Sequence, residues 1–376
     1  MENSIYYSSD TALARLCRRD AIDYLKRINI AEPEQCLRLP PSLDLLSHLQ
    51  MQHMLTVPYD TSPMHVNWSE WSGPARPIVF GQGSGMGLGE WTFNRIVHGH
   101  ASGFCFAINC LFASLLRTLG YRVSEVGARN NLRRGSDFAK VPCAFSAITH
   151  IVLLVDWPAG PGRYFVDAGY GGGSCPFPFV TFLPTSDRLL ILWSFRILLQ
   201  DGQTSRSLLS TESFRLRQEV LRVDSDIWHD PPSGFSVYRR VTPPDYPIID
   251  SSNADATPGF WTLMYHFAET SLSPGDAMVC NFFNEKHPQA TWATFFVVSL
   301  MLPNGARRTL ARSSTLKDEK GRAKLYTKAG ITATDESVEW IDFDTRAIGE
   351  VLRKDFGYRF GWAQQGDEPK YDQQNV

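Results

Sequence analysis

Gly103-Phe104-Cys105-Phe106-Ala107-Ile108-Asn109-Cys110-Leu111-Phe112-Ala113-Ser114-Leu115-Leu116-Arg117-Thr118-Leu119 is the most regular stretch of the chain. Ile108, Leu111, Phe112, Leu115 and Leu119 recur at the spacing that lines one side of an α-helix, and Gly120 follows where helices commonly stop. The spacing predicts a helix over 103–119 with a buried stripe, Ser102 as its N-cap and Cys105 in its first turn. Downstream the period becomes that of strands. Tyr121–Val126, Ala147–Val155 and Tyr164–Asp167 are rich in β-branched and aromatic residues, with a turn at Pro158-Ala159-Gly160-Pro161-Gly162. A twisted antiparallel sheet or barrel is therefore expected to follow the helix.

Upstream, Ala12, Leu16, Ile22 and Leu25 keep helical spacing, and Pro40-Pro41-Ser42 opens a further helix over Leu43–Met54. Between Pro58 and Gly99, prolines 63, 74 and 77 precede glycines at 81, 83, 85, 87 and 89, which read as a long loop. No strand leads into those glycines and no helix follows at once, so a dinucleotide cradle is not expected. Past Pro243-Pro244, Thr294–Met301 reads as a strand and Arg346–Phe356 as a helix, and the polar tail from Ala363 to Val376 is expected to be disordered. No internal repeat is seen.

With 376 residues, 43% of them hydrophobic and 20% charged, the chain reads as a globular protein of two to three domains. Thirty-seven Lys and Arg against 39 Asp and Glu give a net charge of -2, which offers no field for nucleic acid or anionic lipid. Seven cysteines (17, 36, 105, 110, 143, 175 and 280) without a Cys-x-x-Cys weaken both a disulfide framework and a zinc site, and an odd number leaves at least one thiol free. The first residues carry acidic side chains and no apolar core of a secretory signal. Leu189–Leu199, the longest apolar stretch, contains Arg196 and falls well short of the roughly 20 residues that span a bilayer. A cytoplasmic location is expected, where the Asn67-Trp68-Ser69 sequon stays unused.

Chemistry concentrates between 105 and 167. A thiol at a helix start feels exposed N–H groups and the positive end of the helix dipole, both of which favour the nucleophilic thiolate. Alone, Cys105 reads equally well as a small buried hydrophobe. His150 lies in Ile148-Thr149-His150-Ile151-Val152, where Ile148, His150, Val152 and Leu154 should share one strand face, and a lone histidine there is more often a core residue. Asp167, in Phe165-Val166-Asp167-Ala168-Gly169, falls on the next strand and can hold the second imidazole nitrogen. Together the three supply nucleophile, base and orienting carboxylate. A papain-like protease places its histidine much further downstream, and a caspase-like one places it upstream. Gly169, Gly171, Gly172 and Gly173 permit a close backbone approach by a ligand or another segment.

At these residues the sequence resembles the arylamine N-acetyltransferases, whose signature is Arg-Gly-Gly-x-Cys-x-x-x-Asn, a Thr-His strand and a Val-Asp-x-Gly-Phe-Gly strand. The matching segments are Ala101–Asn109, Thr149–Leu153 and Phe165–Gly172. Likeness extends outward through Tyr24–Ile28, His53–Asp60, Ala128-Arg129, Thr270–Pro274 and Phe356-Gly357. The resemblance implies an α+β fold: an N-terminal helical bundle carrying the cysteine, an antiparallel β-barrel carrying the histidine and aspartate, and a C-terminal α/β lid around a transglutaminase-like Cys-His-Asp core. The corresponding divisions are 1–122, 123–235, 236–362 and the tail 363–376. It implies Cys105 as acyl acceptor, His150 as base and Asp167 as orienter, acetyl-CoA or another acyl-CoA such as malonyl-CoA as co-substrate, and an arylamine or hydrazine as acceptor in ping-pong chemistry. Thr270, Ser271 and Ser273, with Gly169 and Gly171, fall on stretches that help line the acyl and coenzyme A cleft in relatives. No metal, nucleic acid or membrane is implied, and the oligomeric state is left open.

The sequence also departs from the pattern. Ala101 and Ser102 replace the Arg-Gly that opens the signature, Ala107 stands where relatives carry Glu or Gln, and Asp60 takes the place of the glutamate that pairs with the missing arginine. That ion pair is expected to be lost unless Arg95, His98 or His100 substitutes. Extra length at the Gly-rich loop and between 186 and 260 reads as insertion, as in the fungal members. Two alternatives use the same residues: a transglutaminase-like or peptidase-like amide hydrolase, and a degenerate member that binds an acyl donor or partner without catalysis.

Overall fold

A computed structural model describes residues 15–66, 90–133, 135–137, 139–156, 163–182, 203–221, 232–243, 255–330 and 333–359. The Gly-rich loop, the sequon, the 158–162 turn, Leu189–Leu199, parts of 186–260 and the tail lie outside them. The N-terminal part holds α1 (Arg18–Arg27), α2 (Pro33–Cys36), α3 (Leu43–Thr56), the short α4 (Glu90–Phe93) running into a π-helical turn at Asn94–His98, and α5 (Cys105–Thr118). Ser42 caps α3 by accepting from the Leu45 N–H at 3.2 Å. The expected Ser102 cap of α5 is not formed. Phe104 is the N-cap residue and no side chain caps the helix, because the chain enters extended and Ser102 instead offers its carbonyl to Arg95. Gly120 closes the helix at φ +92, a conformation that suits glycine.

The expected single stripe on α5 understates its burial: every residue from Cys105 to Arg117 is buried. Helices cover one side and a sheet the other. In β3 (Phe145–Asp156), Ile151, Leu153 and Val155 pack into the helical core, whereas Val152 and Leu154 point into a second cluster with Phe165, Phe235 and Phe267. The two-residue period of a strand buried on both faces produces this division.

That sheet has eight antiparallel strands, with β2 (Val123–Asn131), β3, β4 (Arg163–Val166), β5 (Phe179–Phe182), β6 (Gln203–Arg206), β7 (Ser213–Val220), β8 (Ser233–Val241) and β9 (Phe260–Ser271) in the order β5-β4-β3-β2-β9-β8-β7-β6. The expected position 235 falls inside β8, and β9 is inserted between β2 and β8. Among the described residues the sheet is curled into a half-barrel that hydrogen bonds do not close. Among the described residues its edges β5 and β6 do not pair, and at four residues each they are far shorter than the twelve-residue β3 and β9.

The second sheet is also antiparallel. β1 (Tyr59–Asp60), β10 (Phe296–Met301), β11 (Arg307–Arg312), β12 (Ala323–Lys328) and β13 (Glu336–Ile341) lie in that order. Before β10 come α6 (Pro274–Lys286) and α7 (Thr291–Thr294), and α8 (Thr345–Phe356) packs Ile348, Val351, Leu352 and Phe356 on Phe296, Val298, Leu310 and Leu325. β1 joins this sheet to the start of α5, since Asp60 N–H donates to Gly103 O at 2.8 Å. Among the described residues no helix is long and apolar enough to cross a membrane.

Candidate active site

Cys105 opens α5, His150 sits in β3, and Asp167 follows β4, which pairs antiparallel with β3 through Leu153 and Val166. The structure brings the three together. His150 Nε2 meets Asp167 Oδ2 at 2.8 Å, with both side chains buried. Because an ionised carboxylate only accepts, this bond assigns the imidazole proton to Nε2 and leaves Nδ1 as the acceptor. The Cys105 thiol lies against the backbone next to His150, with Sγ 3.8 Å from Thr149 O.

Asp167 is held from several sides. Its Oδ1 accepts from Asn109 Nδ2 at 3.0 Å and from Gly169 N–H at 2.9 Å, and its Oδ2 also accepts from Tyr265 OH at 2.6 Å. Burial by itself would raise this carboxyl's pKa. The His150 charge and the bonds from His150, Asn109 and Tyr265 outweigh it and hold the group below its ordinary value. Asn109 also donates to Ile151 O at 2.6 Å and accepts from Ala168 N–H at 3.0 Å, so one buried amide links α5, β3 and the end of β4. The sequence pattern contains Asn109, one turn beyond Cys105 on the same helix face, without revealing what it binds. Tyr265 carries no local signal, since it reaches Asp167 from 98 residues away. With Tyr170 it also flanks the imidazole in edge contacts, ring centroids 5.0 and 5.1 Å from that of His150.

The helix start does not by itself produce a thiolate. Burial, and then the Asp167 charge, push the Cys105 thiol up, outweighing backbone N–H groups of Ile151, Phe106 and Cys105 that act in the opposite sense. The proton therefore leaves only when a neighbouring base takes it.

The ion pair expected to be missing is replaced. Arg95 Nη2 meets Asp60 Oδ2 at 2.8 Å, with side chains 4% and 0% exposed, while Arg95 Nε donates to Ser102 O at 2.7 Å. An arginine from the preceding turn thus does from outside the signature what Ala101 cannot, and ties β1 to the entry of α5. Arg27 adds a second tie by donating to the carbonyls of Ile96 and His100 at 2.9 and 3.2 Å.

The glycines after Asp167 serve packing. A Cβ on Gly169 would lie 2.9 Å from Asn109 Nδ2 and 3.0 Å from Cys105 Cα, and one on Gly171, at φ +71, would lie 3.0 Å from Tyr59 Cγ. The segment that approaches Gly169 is the first turn of α5. Thr270 and Ser271 are exposed at the end of β9, and Ser273 caps α6 by accepting from Asp276 N–H at 3.1 Å. A cavity of about 430 Å³ is lined among others by Tyr59, Tyr170, Gly171, Trp292 and Arg307; Tyr170, which packs on the His150 ring, separates it from Cys105, His150 and Asp167, which do not line it. Thr270, Ser271 and Ser273 do not line it. Among the described residues no group of three or more His, Cys, Asp or Glu could hold a metal ion.

A family model described as N-acetyltransferase matches residues 42–363, which takes in the helices from α3 onward, both sheets and the three candidate site residues. The chain belongs to the arylamine N-acetyltransferase family. It is similar to the arylamine N-acetyltransferase of Mycobacterium tuberculosis, 22% identical over 331 residues that cover 88% of this chain and 92% of that protein. It is also similar to the N-malonyltransferase FDB2 of Gibberella moniliformis, 23% identical over 303 residues that cover 79% and 74%. The arylamine N-acetyltransferase of Mycobacterium marinum in complex with CoA shares the fold, with a TM-score of 0.55 and 21% identity over 90% of this chain and 92% of that one. The open sheet carrying His150 and Asp167 is thus the form the arylamine N-acetyltransferase fold takes here.

Proposed function

We propose that the chain is an acyl-CoA-dependent N-acyltransferase acting on arylamines and hydrazines through a thioester on Cys105. The observation that carries this reading is the buried His150–Asp167 pair beside the Cys105 thiol, with Asp167 held by Asn109 and Tyr265. His150 Nδ1 takes the thiol proton, and the resulting imidazolium is stabilised by Asp167. Sγ attacks the thioester carbonyl of the donor, the bond from that carbon to the coenzyme A sulfur breaks, and His150 returns its proton to the departing thiolate. The acyl group now sits on Cys105. One thioester replaces another, so this step is close to balanced.

In the second half an amine nitrogen attacks the Cys105 thioester, the carbon–Sγ bond breaks, and the nitrogen's proton passes through His150 to the thiolate. The attacking nitrogen must be neutral. Arylamines and hydrazines are neutral near pH 7 and alkylamines are protonated, which favours the first two as acceptors. Acetyl-CoA is the expected donor, and malonyl-CoA is a second one because FDB2 is an N-malonyltransferase. The exposed Thr270 and Ser271 and the capping Ser273 are proposed to face the coenzyme A moiety, and the cytoplasm is the compartment in which this donor and a free thiol coexist.

The direct test is intact-mass measurement after mixing with acetyl-CoA or malonyl-CoA, with Cys105→Ser as control. One acyl group should appear on Cys105, leave on addition of an aniline or hydrazine, and be absent from the folded C105S protein. No acylated Cys105 with any donor, or turnover of an amide without coenzyme A, would overturn the proposal.

A further inference from the structure

The 430 Å³ cavity, which reaches the site through Tyr170, has an unbalanced charge. Arg239, Arg307 and Lys328 line it, and among the described residues no carboxylate does. Arg239 on β8 and Arg307 at the start of β11 both turn to Glu212, just before β7, and Arg307 Nη1 lies 3.3 Å from Glu212 Oε1. Glu212 Oε2 is taken by Ser207 Oγ at 2.9 Å. The two arginine side chains are 6% and 7% exposed, so two buried cations share one buried anion. Lys328 shares Asp335 with Lys324, which adds no spare negative charge.

The hydrogen bonding is incomplete in the same sense. Arg307 Nε and Nη2 and Arg239 Nε are buried without a partner. A buried N–H of a charged group left unpaired is costly, so each such group needs a reason. In Arg307, Nη1 is engaged by Glu212, and the free Nε and Nη2 form the side-on edge of the guanidinium, the fork that grips a carboxylate through two parallel bonds. Arg307 packs against the glycines that follow Asp167: a Cβ on Gly172 would lie 3.4 Å from its Cδ and 4.0 Å from its Nε. Ser299 and Thr309, whose hydroxyls are 3.0 Å apart, line the same space and can add donors. Burial pulls Arg307 down to about 10, and it pulls Arg239 well below its usual value with repulsion from Arg307 adding to it, as expected of cations waiting for an anion.

We propose that Arg307 and Arg239 form a carboxylate subsite that receives the free carboxylate of a substrate, either the ω-carboxylate of a dicarboxylic acyl donor or the carboxylate of an aromatic amine. The single excess charge of the Arg239–Arg307–Glu212 cluster matches one carboxylate, and the fork on Arg307 matches its shape. The carboxylate is a spectator: the acyl carbon exchanges its sulfur as described above, and the carboxylate keeps its charge throughout. This inference rests on the acyl-transfer reading of the site.

Two comparisons on the wild-type protein separate the sources. In the donor arm, acylation of Cys105 by malonyl-CoA is compared with acetoacetyl-CoA, a neutral analogue of similar length. In the amine arm, discharge of the acetyl-enzyme by 4-aminobenzoate is compared with 4-aminobenzamide. A preference for the charged compound of roughly ten-fold or more is expected in one arm, which identifies the source. Arg307→Gln, which leaves Arg239 and Glu212 as a neutral pair, should collapse that ratio. No preference in either arm, or a preference that survives in folded R307Q, overturns the subsite, and the wild-type ratios decide alone if the variant does not fold. Failure of the acyl-transfer reading is distinguishable, since no thioester would then form with acetyl-CoA or any other donor.

Discussion

Replacing Asn109 by leucine tests whether the site is held by one buried amide. The substitution keeps the number and branching of the side-chain heavy atoms and removes three hydrogen bonds, to Ile151 O, to Asp167 Oδ1 and from Ala168 N–H. The bond to the charged Asp167 contributes about 1.5–3 kcal/mol, and stranding the Ala168 N–H costs about 1–3 kcal/mol. The neutral bond to Ile151 adds about 1 kcal/mol, and the apolar side chain recovers about 1–2 kcal/mol by burial. The expected net loss is about 3–5 kcal/mol, read from urea unfolding midpoints at constant slope. A second readout separates positioning from stability. Asp167 is held low in the fold, so its contribution is present above the unfolded carboxyl pKa and is lost as pH falls through the folded one. Without the Asn109 bond the folded pKa rises, and the acid limb of Cys105 acylation should move to higher pH. Asn109→Leu within about 1 kcal/mol of wild type, with that limb unmoved, would refute the reasoning.

Three further perturbations probe the supports of the site. Arg95→Ala leaves Asp60 charged and buried and should cost about 3–5 kcal/mol in urea unfolding, with part recovered in the double variant Asp60→Asn, Arg95→Met; no recovery would mean that the pair does not couple. Gly169→Ala drives a Cβ against Cys105 Cα and Asn109, so it should cost about 1–3 kcal/mol and slow acylation, and an alanine variant of wild-type stability and rate would count against this packing. His53 is buried with both ring nitrogens unpartnered, and burial first and Arg27 second lower its pKa from 6.5 to about 3. Its contribution to stability is full above the unfolded pKa and falls as pH drops below it, by about 2 kcal/mol between pH 6.5 and 4.5. His53→Phe, which can keep the ring contact to Phe112, should flatten the pH dependence of the urea midpoint over that window, and an unchanged slope would contradict the assignment.

Much of the site was legible because its signals are local. The helical spacing from Ile108 to Leu119 follows from 3.6 residues per turn, the even face of β3 from the two-residue period of a strand, and the choice of Cys105, His150 and Asp167 from the residue types that nucleophile, base and orienter require. The helix begins two residues later than its apolar spacing predicts, and Ser102 does not cap it. Ser102 is a common capping residue, but here the extended entry of the chain gives its carbonyl to Arg95. Of the expected barrel the described residues form a curled half, because the edge strands β5 and β6 are short and have little periodic signal.

By itself, then, the sequence determined the most periodic helices and strands, the residue types of the proposed triad and the family whose segments they match, since these depend on neighbours along the chain. The tertiary structure decided what depends on partners far along it. Arg95 takes the place of an arginine missing at 101, Tyr265 reaches Asp167 through a β9 inserted between β2 and β8, and Arg239 and Arg307 meet over Glu212 from different sheets. Side-chain pairing in a packed interior is set by the three-dimensional approach of elements, and one sequence read in order carries the period of each element but not the register in which distant elements meet.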